Sequence, residues 1–327
     1  MNNTTKTSKQ RDDHIVVLFG MMIFVLVLMA ILKGKTYFTM ANLRSMIFQF
    51  PEYGVLSFGM MACMIAGGID LSLVGIMNLS GVTAALMIKA GLPIPLAILA
   101  ALAVGTACGA FNGFIIGSLD IPAMLVTLCG LEVYSGLVLA ITGGPAVNNM
   151  TDAFKNIANG FVGPVPGVLF IFIAVALLVA FVMKYTIFGH NIYFLGSNKK
   201  AARYSGIDTL KTIVMTHAFS GLLGAISGVI ITSHLNSAKS SNGSTYTLLS
   251  LLIVVLGGVN PDGGKGKVIG VTLSIVLLQL IANAFTIMRA PDTLKTFTNG
   301  CLLVVALILD VVLEKRALKR ASRTIPS

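Results

Sequence analysis

No tryptophan occurs among these 327 residues, only 11% are charged, and 12 acidic side chains stand against 23 basic ones. Each scarcity excludes something. A soluble domain carries about 25% charged residues, so 11% charged with a 56% hydrophobic fraction and a mean hydropathy of +0.90 excludes one. The four cysteines, Cys63, Cys108, Cys129 and Cys301, lie inside apolar runs without metal-ligand spacing. Buried free cysteine behaves as a small hydrophobe, so neither a disulfide framework nor a metal centre is indicated. The +11 net charge does not imply nucleic acid, because few solvated segments exist to carry such a footprint. Basic residues accumulate instead in the cytoplasmic loops of membrane proteins.

What the chain has is hydrocarbon in helix-length blocks. Apolar runs fall at about 15–32, 53–69, 71–88, 93–117, 121–141, 164–183, 212–233, 246–259, 268–288 and 296–313. A span needs about 20 apolar residues, so the expected fold is an all-α polytopic membrane protein of about ten transmembrane helices. The first run lacks a small-x-small cleavage site and reads as an uncleaved span. The expected organisation is a polar tail over 1–14, a transmembrane domain over 15–313 with an inner loop at about 188–211, and a basic tail over 314–327. With the N-terminus inside, 15 of the 23 basic residues fall on the inner side and 8 on the outer. That asymmetry predicts both termini in the cytoplasm.

Small residues mark close helix packing. Gly105, Gly109, Gly113 and Gly117 recur every four residues in the fourth run, and Ser220, Gly224 and Gly228 repeat the device in the seventh. Such stripes let helix backbones approach in lipid. Ala66-Gly-Gly-Ile-Asp70 is echoed by Leu256-Gly-Gly-Val-Asn260, each ending an apolar run. Repeated halves occur in many transporters, and the echo leaves two related halves open here.

Polar groups inside apolar runs are the candidates for chemistry. Glu132 is a candidate intramembrane carboxylate, and such groups face a bundle interior or water. Glu52, beside Pro51, is expected at a span end, solvated or paired. Asn78, Asn112, His217, Gln279 and Asn283 can bond a hydroxylated solute or a neighbouring helix. The run Gly257-Gly-Val-Asn-Pro-Asp-Gly-Gly-Lys-Gly-Lys267 fails as a phosphate loop. Val259 stands where glycine is required, and Gly266 where the hydroxyl is required. No cofactor site and no catalytic constellation follow, so the chain is not read as an enzyme.

The polar interruption at 188–208 is the feature that points to a soluble partner. Lys199, Lys200 and Arg203 accompany the helix formers Ala201 and Ala202, and Gly206 can end that helix in a left-handed conformation. A basic helix at the inner surface suits lipid headgroups or a groove on a cytoplasmic protein.

Residues 189–207, Gly-His-Asn-Ile-Tyr-Phe-Leu-Gly-Ser-Asn-Lys-Lys-Ala-Ala-Arg-Tyr-Ser-Gly-Ile, resemble the signature inner loop of the ribose/galactose/xylose-type ABC importer permeases. Gly67-Gly-Ile-Asp-Leu-Ser72 is similar to that family's early motif, and Val254-Val-Leu-Gly-Gly-Val-Asn-Pro-Asp-Gly-Gly-Lys-Gly266 to its late one. The order and spacing fit over about residues 40–313. The chain departs at Leu73-Val74-Gly75, where the glycine is displaced by one position, and at Asn260-Pro261-Asp262.

The resemblance implies the membrane subunit of an ATP-driven importer in the bacterial plasma membrane. Its cargo would be a small hydroxylated solute such as ribose, xylose or galactose, while relatives carry autoinducer-2, nucleosides or flavin. Implied partners are a second permease copy or paralogue, cytoplasmic ATP-binding subunits that hold ATP and magnesium, and an extracytoplasmic substrate-binding protein. Gly189, Asn198, Lys199, Lys200, Ala202, Arg203 and Gly206 would form the coupling contact. Asp70 and Ser72 join Asn78, Asn112, Glu132, Gln279 and Asn283 as candidates for the pathway. From the residues alone, an ion-coupled carrier using Glu132 is the alternative from another class.

Overall fold

The structure is a computed structural model that describes residues 2–291 and 293–304 together with 306 and 308; for residues 2–14 it describes the backbone alone. The basic tail expected over 314–327 lies outside the described residues, as do the side chains of the tail expected over 1–14. The elements run α1 (Asn2–Tyr37), α2 (Met40–Ile65), α3 (Leu73–Lys89), α4 (Ile94–Leu119), α5 (Ala123–Thr142), β1 (Val147–Asn148), α6 (Asp152–Asn159), β2 (Phe161–Val162), β3 (Val165–Pro166), α7 (Val168–Tyr185), α8 (Ile187–Ser197), α9 (Lys199–Tyr204), α10 (Thr209–Leu235), β4 (Ser237–Ala238), α11 (Tyr246–Leu256) and α12 (Val268–Ile287). A further helix, α13, covers 293–304. Each of the first nine predicted runs coincides with one long helix or with α3 or α11, and α13 covers the start of the tenth, whose residues 309–313 lie outside the described residues; the fold is all-α and polytopic. Among the described residues, six helices are long and apolar enough to cross a membrane by length and composition alone: α1 from Ile15, α4, α5, α7, α10 and α12.

Two boundaries differ from the sequence reading. α2 begins at Met40, not 53, and runs through Pro51 as one helix. Arg44, Gln49 and Glu52 lower the hydropathy of its first half, but neighbours hold much of that half, with the Arg44 guanidinium lying over the Phe161 ring. Asn42 and Asn283 exchange side-chain amide bonds at 3.0 and 2.9 Å, and the Tyr37 hydroxyl donates to the Leu280 carbonyl at 3.0 Å. α11 is only 11 residues long. At 1.5 Å per residue it covers about 16 Å, roughly half a bilayer core. The preceding irregular segment is therefore held by protein. Asn78 donates to the Ser240 and Asn242 carbonyls at 2.6 and 3.0 Å, and β4 pairs antiparallel with β1. Irregular backbone at membrane depth persists only when buried in this way.

α2 is the central helix, with every residue from Phe50 to Ile65 buried. An all-round apolar helix must have protein on all sides, and α10, α11, α12 and α7 surround it. The closest helix pair is α4 with α10. A Cβ on Gly113 would lie 2.8 Å from the Val214 Cα, and one on Gly105 would lie 2.6 Å from the Ala225 Cβ. Gly109 abuts the His217 carbonyl, and Gly117 abuts Leu210. Gly221, overlooked in the sequence stripe, faces this seam, whereas Gly224 and Gly228 face Leu73 and Met77 of α3. α10 thus presents small residues on two sides and packs closely against both α4 and α3.

Candidate functional site

The segments following α2, α8 and α11 converge at one end of the bundle. α2 and α11 end in the same way. Gly67 N–H bonds to the Met64 carbonyl and Gly68 N–H to Cys63; Gly258 N–H bonds to Val255 and Val259 N–H to Val254. Both are Schellman ends, with the left-handed residue at Gly67 (φ 92°) and Gly258 (φ 78°). The sequence echo is therefore a shared device, displaced by one position, with Gly67 matching Gly258. The late loop then folds back, so that the Gly264 N–H donates to the Ile65 carbonyl at 2.8 Å. Tyr193 of α8 donates to the Gly266 carbonyl at 3.0 Å.

This junction tolerates almost no added atom. A Cβ on Gly263 would lie 2.9 Å from the Gly67 Cα and 2.8 Å from the Gly196 carbonyl oxygen. One on Gly196 would overlap the Ile65 carbonyl oxygen. The three sequence blocks singled out above are thus one tertiary unit.

α8 and α9 project from that junction. Thr186 caps α8 by accepting from the Gly189 N–H at 3.0 Å, and Gly189 is buried against Val182 and Met183 of α7. Asn198 caps α9 by accepting from Ala201 N–H at 2.9 Å. Gly206, at φ 83°, ends α9 in a left-handed turn, with Ile207 N–H bonding to the Ala202 carbonyl at 3.1 Å. Ala202 is buried; Lys199, Lys200, Arg203 and Tyr204 are exposed, Tyr204 to 92%. The sequence reading did not single out Tyr204, although an aromatic beside two basic groups is the composition of a binding surface.

Lys199 is not free. Its ammonium pairs with Asp120, the left-handed residue (φ 54°) that ends α4. The adjacent ammonium holds the Asp120 carboxyl below the usual carboxylate range, with Arg203 adding a smaller effect in the same direction. Asp120 was also missed, since its partner is 79 residues away.

Beneath the junction lies a buried polar chain. Tyr134 of α5 donates to the Asn112 side-chain oxygen at 2.7 Å, and the Asn112 amide donates to the Ser72 hydroxyl at 2.8 Å. Ser72 donates to Asp70 at 2.5 Å through its hydroxyl and at 3.1 Å through its N–H. Ser220 of α10 donates to the other Asp70 oxygen at 2.9 Å. Asp70 and Ser72 are both fully buried. Ser72 and Ser220 meet at Asp70, and Asn112 and Tyr134 extend the chain from Ser72, so the chain links the start of α3 with α4, α5 and α10.

The other pathway candidates lie apart from it. Asn78 holds the 237–245 segment; Asn283 pairs with Asn42; Gln279 accepts the Tyr53 hydroxyl at 2.5 Å. Glu132 is exposed on α5, roughly half a turn from the buried line of Gly130 and Tyr134. At the opposite end of the bundle from the junction, Glu52 is buried and paired with His234 and Tyr246.

The helices define a polytopic membrane protein whose three loop blocks form one junction. The family described as branched-chain amino acid transport system / permease component matches residues 42–307, and the chain belongs to that family. Among curated relatives, the ribose import permease protein RbsC of Haemophilus influenzae is 30% identical over 302 residues, covering 90% of this chain and 94% of the relative. The L-arabinose transport system permease protein AraH of Escherichia coli is 30% identical over 313 residues, covering 94% and 93%. The autoinducer 2 import system permease protein LsrD of Yersinia enterocolitica is 27% identical over 293 residues, covering 87% and 88%. No solved structure matches this chain.

Proposed function

We propose that this chain is the membrane-spanning subunit of an ATP-driven importer, and that it forms the path for a small hydroxylated solute, a monosaccharide such as ribose. One observation carries the reading. The three loop blocks form a single interlocked junction, and from it a capped basic helix presents Lys200, Arg203 and Tyr204 to the outside. A segment built into the bundle at one end and exposed at the other is suited to receive a push from a soluble partner. That partner is an ATP-binding subunit, which holds ATP and magnesium. A substrate-binding protein delivers cargo to the opposite face, and a second permease copy or paralogue completes the path.

Monosaccharide cargo follows from the relatives named for ribose and arabinose, with the autoinducer-2 relative marking the nearest alternative. The excess of basic residues on the junction side supports its placement in the cytoplasm of a bacterial cell, with both termini there.

Purification of the chain from cells expressing its neighbouring genes tests the assignment. An ATPase should co-purify, and uptake should stop when hydrolysis is blocked while a proton gradient persists. Uptake by the chain alone, abolished by Glu132→Gln and by uncouplers, would replace it with an ion-coupled carrier.

A further inference from the structure

The three basic groups of α9 do not share one environment. Lys200 and Arg203 point outward, whereas Lys199 is bound to Asp120 of the same chain. Asp120 sits at a mechanically significant place. It caps the C-terminal end of α4, and only Ile121 and Pro122 separate it from the first residue of α5. That first residue, Ala123, abuts the 66–72 loop: a Cβ on Gly68 would lie 2.8 Å from the Ala123 Cβ. One turn further, Thr127 accepts from the Leu71 N–H at 3.1 Å and bonds to the Ile69 carbonyl at 3.0 Å. Between those two residues is Asp70, the acceptor of the buried polar chain. A continuous set of contacts therefore leads from α9 through Asp120 and the start of α5 to the core of the bundle.

We infer that Asp120 is a positioning residue for transport: its ion pair with Lys199 ties α9 to the start of α5, so that displacement of α9 moves α5 and the 66–72 loop with it. Lys200, Arg203 and Tyr204 are then the groups that meet the partner, and Lys199 is the strut behind them. The inference rests on the reading that α9 docks on an ATP-binding subunit. It goes beyond that reading by separating docking from transmission. An exposed pair contributes little to stability, and Asp120 is largely exposed. Its removal should therefore leave folding intact while uncoupling the motion.

The test uses the assembled transporter with a spin label at Met124→Cys, an exposed position in the first turn of α5, after Cys129 and Cys301 are replaced by Ser. The spectrum is compared between the nucleotide-free state and a state trapped with ATP and vanadate, so no cargo need be known. Asp120→Asn removes the charge but keeps a residue type that accepts the left-handed conformation. The expected result has three parts. The parent complex shows a spectral change on trapping. Asp120→Asn retains the ATPase and traps nucleotide but largely loses that change. The exchanged pair Asp120→Lys with Lys199→Asp recovers it, where Asp120→Lys alone does not.

The inference is overturned if the Asp120→Asn label responds as in the parent, if the parent label does not respond, or if the exchanged pair is no better than Asp120→Lys. Loss of the ATPase from Asp120→Asn would also overturn it, by making the pair part of the docking surface. Failure of the parent chain to bind any ATPase would instead sink the functional assignment itself. Lys200→Glu with Arg203→Glu gives the contrasting behaviour, releasing the ATPase.

Discussion

The Glu52 carboxylate, 3% exposed in the middle of α2, is paired with the Nδ1 of His234 at the last turn of α10. Its other oxygen accepts the Tyr246 hydroxyl at 2.7 Å, and the Ser227 hydroxyl donates to its backbone carbonyl at 2.6 Å. One residue thereby links α2, α10 and α11 at the end of the bundle away from the junction. Phe48 stacks on His234 with ring centroids 5.9 Å apart, which shields the pair. Removing one member of the cluster leaves the others without a hydrogen-bond partner, a loss of about 1–3 kcal/mol. Glu52→Leu should therefore lower the thermal midpoint of the purified protein strongly. Glu52→Gln, which keeps a hydrogen-bonding group toward Tyr246, should lower it less. Equal midpoints for both variants and the parent would show that the cluster does not hold these helices together.

Two glycines of the inner segment separate overlap from backbone strain. Gly206 has open space around it but a φ of 83°. Gly206→Ala should thus cost only the left-handed penalty, about 1–2 kcal/mol. Gly196 faces the Ile65 carbonyl and the Gly264 N–H, both backbone atoms that cannot swing aside. Gly196→Ala should open the three-loop junction. Limited proteolysis checks the difference: cleavage near residues 257–267 should accelerate for Gly196→Ala and stay near the parent rate for Gly206→Ala.

The Asp120–Lys199 pair carries a pH expectation. A free aspartate titrates near about 3.9, and the Lys199 ammonium lowers the Asp120 value below its ordinary one. A lowered value means the pair is present above the ordinary range and is lost only as pH falls through the lowered value. Between pH about 5 and 8 the pair therefore stays charged. The ATP-driven response of the α5 label should be flat across that interval. A response that fades on moving from pH 7 to 5 would identify a histidine, not Asp120, as the controlling group.

The sequence made the helices legible because their cause is local: an apolar run of span length reads the same in the chain and in the bundle. The glycine stripe on α4 and the left-handed end at Gly206 were legible for the same reason. Partnerships were not. Glu52 is 182 residues from His234, and Asp120 is 79 from Lys199, so nothing nearby in sequence marks either pair. The first half of α2 was missed because hydropathy counts Arg44, Gln49 and Glu52 as breaks. In the folded chain, however, other helices supply hydrogen bonds to Asn42, Gln49 and Glu52. The three family blocks were visible as motifs, yet their contact with one another is a tertiary fact carried by backbone approaches at Gly196 and Gly263.

Glu132 stands on the exposed face of α5. The buried side of that helix carries Val126, Thr127, Gly130, Tyr134 and Val138, and Glu132 stands on the reverse side with Leu125, Leu128 and Leu139 exposed near it. A carboxylate in the middle of a span costs about 2.5–3.5 kcal/mol when it faces lipid. A face that retains one is better matched to water or to a second permease copy. Two outcomes then separate. If lipid covers this face, Glu132→Leu should raise the thermal midpoint and leave assembly unchanged. If the face lines a path between two copies, Glu132→Leu should fold at least as well in the isolated chain but impair uptake by the assembled transporter, and Glu132→Gln should impair it less. Parallel measurement of the midpoint and of uptake, at equal amounts of assembled complex, tells them apart. The path reading predicts that stability and transport move in opposite directions.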